Sequence, residues 1–220
     1  MGSKIIIGNF KAELSNSELE AWFQEALALY SQTKFSDGVV VGVAPSFIHL
    51  EKARELITKY NMPFLLGAQN VSALGNGPFT GDTPVSDLKG LVDFIIVGHS
   101  ERRKYHGETV ESIQQKISLL NEENIKVVLC TEKIEKYEGT LWALAYEPES
   151  AIGTGVAAPV FESIAAADKI REITPAEYLL YGGSSSAETV QEFIQSGFNG
   201  VLVGKKSIHP SSFFQIIQNA

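Results

Sequence analysis

The fold class this chain predicts is α/β, an eight-stranded parallel (β/α)8 barrel, and three observations predict it. Short β-branched runs alternate with amphipathic helical stretches along the chain, eight such runs can be counted, and chemically active side chains follow the ends of several of them.

The first run, Lys4–Gly8, is followed by Glu18–Tyr30, where Leu19, Trp22, Phe23, Ala26, Leu27 and Tyr30 recur at the three- and four-residue spacing of one helix face. Val39–Ala44 leads into a helical pattern over Phe47–Tyr60. Phe64–Ala68 leads instead into Asn70–Asp82, a glycine-rich loop whose length without structure suggests a functional role. Phe94–Val97 precedes a helix over Val110–Asn124. Between Lys126–Cys130 and Leu141–Tyr146 only Thr131–Thr140 intervene, too few residues for a full crossover helix with its loops. The expectation is therefore a compact barrel with an abbreviated fifth helix of a single turn. Helices over Val160–Ile173 and Ala187–Gln195 separate Leu179–Gly182 and Gly200–Val203 from what precedes them. At 220 residues, against about 250 for the class, the chain reads as one domain, 1–220, with no linker or low-complexity segment.

A formal charge of −8 and no basic stripe argue against a nucleic-acid surface, although a locally positive pocket could still hold an anion. The single cysteine, Cys130, forbids an internal disulfide and a cysteine-built metal site. No apolar run approaches the roughly 20 residues of a membrane span, and no secretory pattern is visible in residues 1–30, so a cytoplasmic protein is expected. The first strand has no glycine-rich dinucleotide loop after it and no residues show metal-ligand spacing, so no cofactor and no metal are expected.

Three strand ends supply a lysine, a histidine and a glutamate: Lys11 after Lys4–Phe10, His99 after Phe94–Val97, and Glu147 after Leu141–Tyr146. Taken singly, each has an ordinary reading as a solvated lysine, a structural histidine or a surface glutamate. His49, His106 and His209 keep that reading. Pro148 biases Glu147 toward extended geometry, and Gly153-Thr154-Gly155 follows shortly, as a mobile cover would require.

Four segments, in chain order, resemble the triosephosphate isomerase family: Gly8-Asn9-Phe10-Lys11, Gly98 to Arg103, Ala145 to Pro148 with Ala151 to Gly155, and Tyr181-Gly182-Gly183-Ser184. The resemblance implies a TIM barrel that interconverts dihydroxyacetone phosphate and D-glyceraldehyde 3-phosphate through an enediolate. Glu147 would be the general base, His99 a neutral electrophile, Lys11 the balancing cation, Asn9 a holder of substrate oxygens, and Glu101 the partner of Lys11. Phosphate would be held by Gly153, Gly182, Gly183, Ser184, Gly204 and Lys205, chiefly through backbone N–H groups. The resemblance also implies a homodimer through residues 70–82, with Thr80 reaching the neighbour. Outer surface bared by the short fifth helix would permit a further contact and a homotetramer.

Two departures stand out. The family's second glycine after strand eight is Lys205, whose side chain either obstructs phosphate or helps to hold it. The lid hinge reads Pro148-Glu149-Ser150, without the family's tryptophan, so altered lid closure is expected. Two rivals remain: an aldolase-like lyase, disfavoured because no late strand interior carries a Schiff-base lysine, and a non-catalytic barrel, against which the joint retention of Lys11, His99 and Glu147 counts.

Overall fold

Ile5, Ile6 and Ile7 are all fully buried, which consecutive strand residues achieve only when both faces of the sheet are covered. The structure, a computed structural model, describes residues 3–33, 35–148, 151 and 157–220. Its strands are β1 (Lys4–Asn9), β2 (Val39–Ala44), β3 (Phe64–Ala68), β4 (Phe94–Val97), β5 (Lys126–Thr131), β6 (Ala143–Tyr146), β7 (Tyr178–Tyr181) and β8 (Gly200–Val203). Every neighbouring pair is parallel, and β1 closes the barrel on β8 with Ile5 opposite Gly200 and Gly8 opposite Val203.

Strand alternation divides the core in two. Ile5, Ile7, Phe94, Ile96, Val128, Cys130, Ala143, Ala145, Leu180 and Leu202 fill the barrel interior. Their neighbours Ile6, Ile95, Val97, Val127, Leu129, Leu144, Leu179, Val201 and Val203 point outward to the helices. The Phe94 ring plugs one side of the interior, and it fits because Gly42 and Gly67 present no Cβ to it.

The helices are α1 (Asn16–Gln32), α2 (Leu50–Lys59), α3 (Val85–Leu88), α4 (Ser100–His106), α5 (Val110–Glu122), α6 (Val160–Ile173), α7 (Val190–Ser196) and α8 (Pro210–Asn219). A capping box of Ser15 with Glu18 starts α1, and its buried face carries Leu19, Trp22, Phe23 and Ala26. The last helix, α8, packs on α1 and closes the ring. Among the described residues no helix is long and apolar enough to cross a membrane.

The fifth crossover is shortened further than the sequence suggests. Residues 132–142 carry no helical turn. Backbone groups that a helix would satisfy internally are met by side chains of neighbouring helices instead. Gln114 of α5 binds the Glu138 N–H and C=O at 2.8 and 2.9 Å, and Asn121 does the same for Thr140 at 2.6 and 3.0 Å. Thr174 Oγ1 accepts from the Tyr137 N–H and donates to the Glu135 carbonyl. Buried Tyr137 and Leu141 take the place of a helix's apolar face.

Candidate active site

The period-two alternation that fills the barrel also builds the site. Continuing the inward rows by two residues past Ile7, Ala145, Leu180 and Leu202 reaches Asn9, Glu147, Gly182 and Gly204, and all four line one cleft of about 270 Å³ with Lys11, His99, Gly183, Ser184, Lys205 and Lys206. His99 departs from the row of Phe94 and Ile96 by an odd step. Gly98, at φ +70°, turns the chain so that His99 faces the cleft.

His99 is 7% exposed and Glu147 2%. His99 Nε2 lies 3.1 Å from Glu147 Oε1. Glu147 Oε2 accepts the Ser100 N–H at 2.8 Å. At the start of α4, His99 Nδ1 accepts the Glu101 N–H at 3.2 Å, so in the neutral ring the proton sits on Nε2, the nitrogen nearest Glu147. Gly182 leaves the room this carboxylate needs, because a Cβ there would stand 2.8 Å from Glu147 Cγ.

Lys11, at φ +51°, has its N–H bound to Asn9 Oδ1 at 3.0 Å and its ammonium 2.5 Å from Glu101 Oε1. Gln69, just past β3, donates to the Lys11 and Ala44 carbonyls and pins this turn. Gly204 lies against the Lys11 side chain, with a Cβ there 3.5 Å from Lys11 Cε. Below the site, burial pushes the Cys130 thiol well above its ordinary range, and the charge and hydrogen bond of Glu147 add to the shift.

All the catalytic candidates, Lys11, Asn9, His99, Glu101 and Glu147, thus come together at one end of the barrel. Of the phosphate candidates, Gly183, Ser184, Gly204 and Lys205 line the same cleft. Ser184 has its N–H and hydroxyl both turned to the Ala151 carbonyl, at 3.2 and 2.7 Å. Lys205 is exposed. Gly153 and the hinge residues Glu149 and Ser150 lie outside the described residues. Just beyond them, the Ala158 N–H donates to the Tyr181 hydroxyl at 2.9 Å. Sequence reasoning missed Ser100, Gln69 and Ser185. Only Ser100 carried a signal, its place next to His99.

The family model described as triosephosphate isomerase matches residues 4–141 and 136–220, and the two segments meet inside the helix-free fifth crossover. A triosephosphate isomerase of Mycoplasmopsis pulmonis is 33% identical over 99% of this chain and 98% of its own length. That of Mycoplasmoides gallisepticum is 34% identical, covering 98% and 97%, and that of Buchnera aphidicola 33%, covering 98% and 96%. The first of these alignments runs to 245 residues, so the relatives carry insertions that this shorter chain lacks. With the order of elements, the convergence of Lys11, His99 and Glu147, and matches along nearly the whole chain in agreement, the chain belongs to the triosephosphate isomerase family.

Proposed function

We propose that this single barrel domain interconverts dihydroxyacetone phosphate and D-glyceraldehyde 3-phosphate, with Glu147 moving the proton between neighbouring carbons. The observation that carries this assignment of roles is the 3.1 Å contact of His99 Nε2 with Glu147 Oε1, beside an ammonium held in the same cleft. Carbon acids next to a carbonyl are weak, so a base succeeds only if the oxygen is polarised as the proton leaves. His99 Nε2–H does that when the substrate oxygen takes the place beside it that Glu147 Oε1 occupies in the free protein. The same exchange frees Glu147 Oε1, so substrate binding and release of the base are one event. Glu147 takes the proton from one carbon, an enediolate forms, and the proton returns to the adjacent carbon. Lys11 compensates the negative charge of phosphate and enediolate, and the Asn9 amide, whose Oδ1 is occupied by the Lys11 N–H, offers its NH2 to a substrate oxygen.

Gly183, Ser184, Gly204, Lys205 and, by resemblance, Gly153 hold the phosphate. For Ser184 this requires its N–H to leave Ala151. The reading extends to a cytoplasmic homodimer through residues 70–82, where Leu74 and Phe79 stand 43% and 38% exposed. Ile134 and Phe161, 61% and 83% exposed, would support a further contact and a homotetramer. A single monomeric species in light scattering would remove both assemblies. The activity itself is tested by turnover of glyceraldehyde 3-phosphate by the purified protein. Turnover supports the reading, and its absence favours a barrel that has lost its chemistry.

A further inference from the structure

Among the described residues, four buried side-chain polar atoms have no hydrogen-bond partner: Ser100 Oγ, Arg102 Nε, Glu108 Oε2 and Ser185 Oγ. Of these, Ser185 alone lines the substrate cleft. Its residue is 6% exposed. A hydroxyl that has given up water without gaining a protein partner destabilises the free enzyme, and its placement is explained when the partner arrives with a ligand.

The surroundings state what that ligand carries. Ser185 follows Gly182, Gly183 and Ser184 at the end of β7, across from Gly204 and Lys205 at the end of β8, the end of such barrels where phosphate is held. The neighbouring Ser184 N–H is already spent on the Ala151 carbonyl, so this loop has a backbone donor fewer than its length suggests. Charge points the same way. Lys11 already has Glu101 as a partner, and Glu147 adds a carboxylate to the cleft that must accept a dianion, so Lys11 alone leaves charge there uncompensated. A further cation is needed. Lys206 stands near Glu188, whose carboxyl is lowered chiefly by the Ser186 hydroxyl and also by the Lys206 charge. Neither lysine forms an ion pair among the described residues, and Lys205 is the one that directly follows Gly204 at the end of β8.

We propose that the Ser185 hydroxyl, buried in the free protein, is brought round by a turn about χ1 as the ligand enters and donates directly to the substrate phosphate, and that Lys205 supplies its counter-charge, a side-chain grip added to the backbone donors of the two loops. The bearer of that phosphate rests on the isomerase reading, whereas the grip acts on any small phosphate dianion. Lys205 on this account is an aid to binding and not an obstruction.

The test compares the parent with Ser185→Ala, Lys205→Met and the double variant. Inorganic phosphate binding is read by titration calorimetry, the KM for glyceraldehyde 3-phosphate by steady-state kinetics, and Tm without ligand by thermal scan. Ser185→Ala is expected to weaken phosphate binding and raise KM by about tenfold, as loss of a hydrogen bond to a charged group does. Its ligand-free Tm should hold or rise by about 2 °C, because an unpartnered buried hydroxyl has gone. Lys205→Met should weaken phosphate binding by about threefold at low salt and less at high salt. Unchanged phosphate binding in Ser185→Ala overturns the grip, as does a parent that binds no phosphate, and a fall in Tm accompanying weaker binding assigns Ser185 a structural role instead. No effect of Lys205→Met overturns the counter-charge. A parent that binds phosphate, and loses it in Ser185→Ala, yet does not isomerise, supports the grip and overturns the isomerase reading.

Discussion

The backbone N–H of Glu101 donates to His99 Nδ1 at 3.2 Å, and that one bond decides which ring nitrogen faces the cleft with a proton. Since Nδ1 is occupied as an acceptor, the neutral ring carries its hydrogen on Nε2. Nitrogen-15 spectra of labelled protein should show the Nε2–H tautomer for His99. His99→Ala, which has no donor at that place, should lower kcat by about 10² to 10⁴-fold. An Nδ1–H tautomer would contradict the bond.

Glu147→Asp shortens the side chain by one methylene and draws the carboxylate back from the reacting carbon. Since geometry governs proton transfer, kcat should fall by about 10²-fold or more while KM stays within a few-fold. A variant that keeps parental kcat would remove Glu147 from the role of base.

Glu101→Gln leaves Lys11 without its counter-charge. The Glu101 side chain is 40% exposed, so the pair adds little to folding and Tm should move by no more than about 2 °C. The kinetic effect should be larger, a loss of about tenfold in kcat/KM, because the ammonium is no longer aimed into the cleft. A large Tm loss with intact kinetics would make the pair a scaffold element only.

Lys116 and Glu108 form an ion pair inside the protein, with side chains 6% and 3% exposed, and Lys116 also donates to Asn70 Oδ1 at 2.7 Å. Removing one partner strands the other charge, so Glu108→Ala should cost about 3–5 kcal/mol. Urea titration would measure it. Because Asn70 opens the loop of residues 70–82, limited proteolysis should cut that loop faster in the variant.

Burial raises Cys130 well above the ordinary thiol value of 9.0, and burial likewise raises Tyr137, Tyr146 and Tyr181 above 10.0. Each folded-state value lies above its unfolded value, so between the two the native state binds more protons than the unfolded chain. The stabilisation is complete below the unfolded value and is lost as pH rises. Tm should therefore decline from about pH 9, and Cys130→Ala should move the onset toward pH 10, where the tyrosines begin. An onset that does not move would separate Cys130 from alkaline instability.

What could be read beforehand was whatever depends on short-range pattern. Val160–Ile173 is a helix over the very residues its spacing indicates, and the strands drift by two residues at most, as at β6, where Leu141 and Trp142 are buried but precede the strand. Lys11, His99 and Glu147 were legible because a polar residue directly after an apolar strand lands at the barrel end. Pairings across the barrel were not. Gln69 sits in an unremarkable stretch, and only the closeness of β1, β2 and β3 brings it to the carbonyls of Lys11 and Ala44. Ser185 is one of three consecutive serines, and nothing local marks the one left without a partner. The helix Pro210–Asn219 lies beyond the helices the spacing predicts, although Pro210 at its start and Phe213, Phe214, Ile216 and Ile217 on its buried side are the signals of one. At the fifth crossover ten residues suggested one helical turn, and Gln114 and Asn121 made even that unnecessary by serving as backbone partners from outside.

The closure of β1 on β8 places residues from both ends of the chain in one cleft, which Lys11 and Gly204 line together. Enzymatic activity is therefore a reporter of ring completion. During refolding, a collapsed species that has paired β1 through β7 would show nearly all of the final secondary structure and half a phosphate site. Return of turnover should lag behind return of circular dichroism by the time the last strand takes to find the first, a delay that a protein with its site inside one contiguous segment would not have.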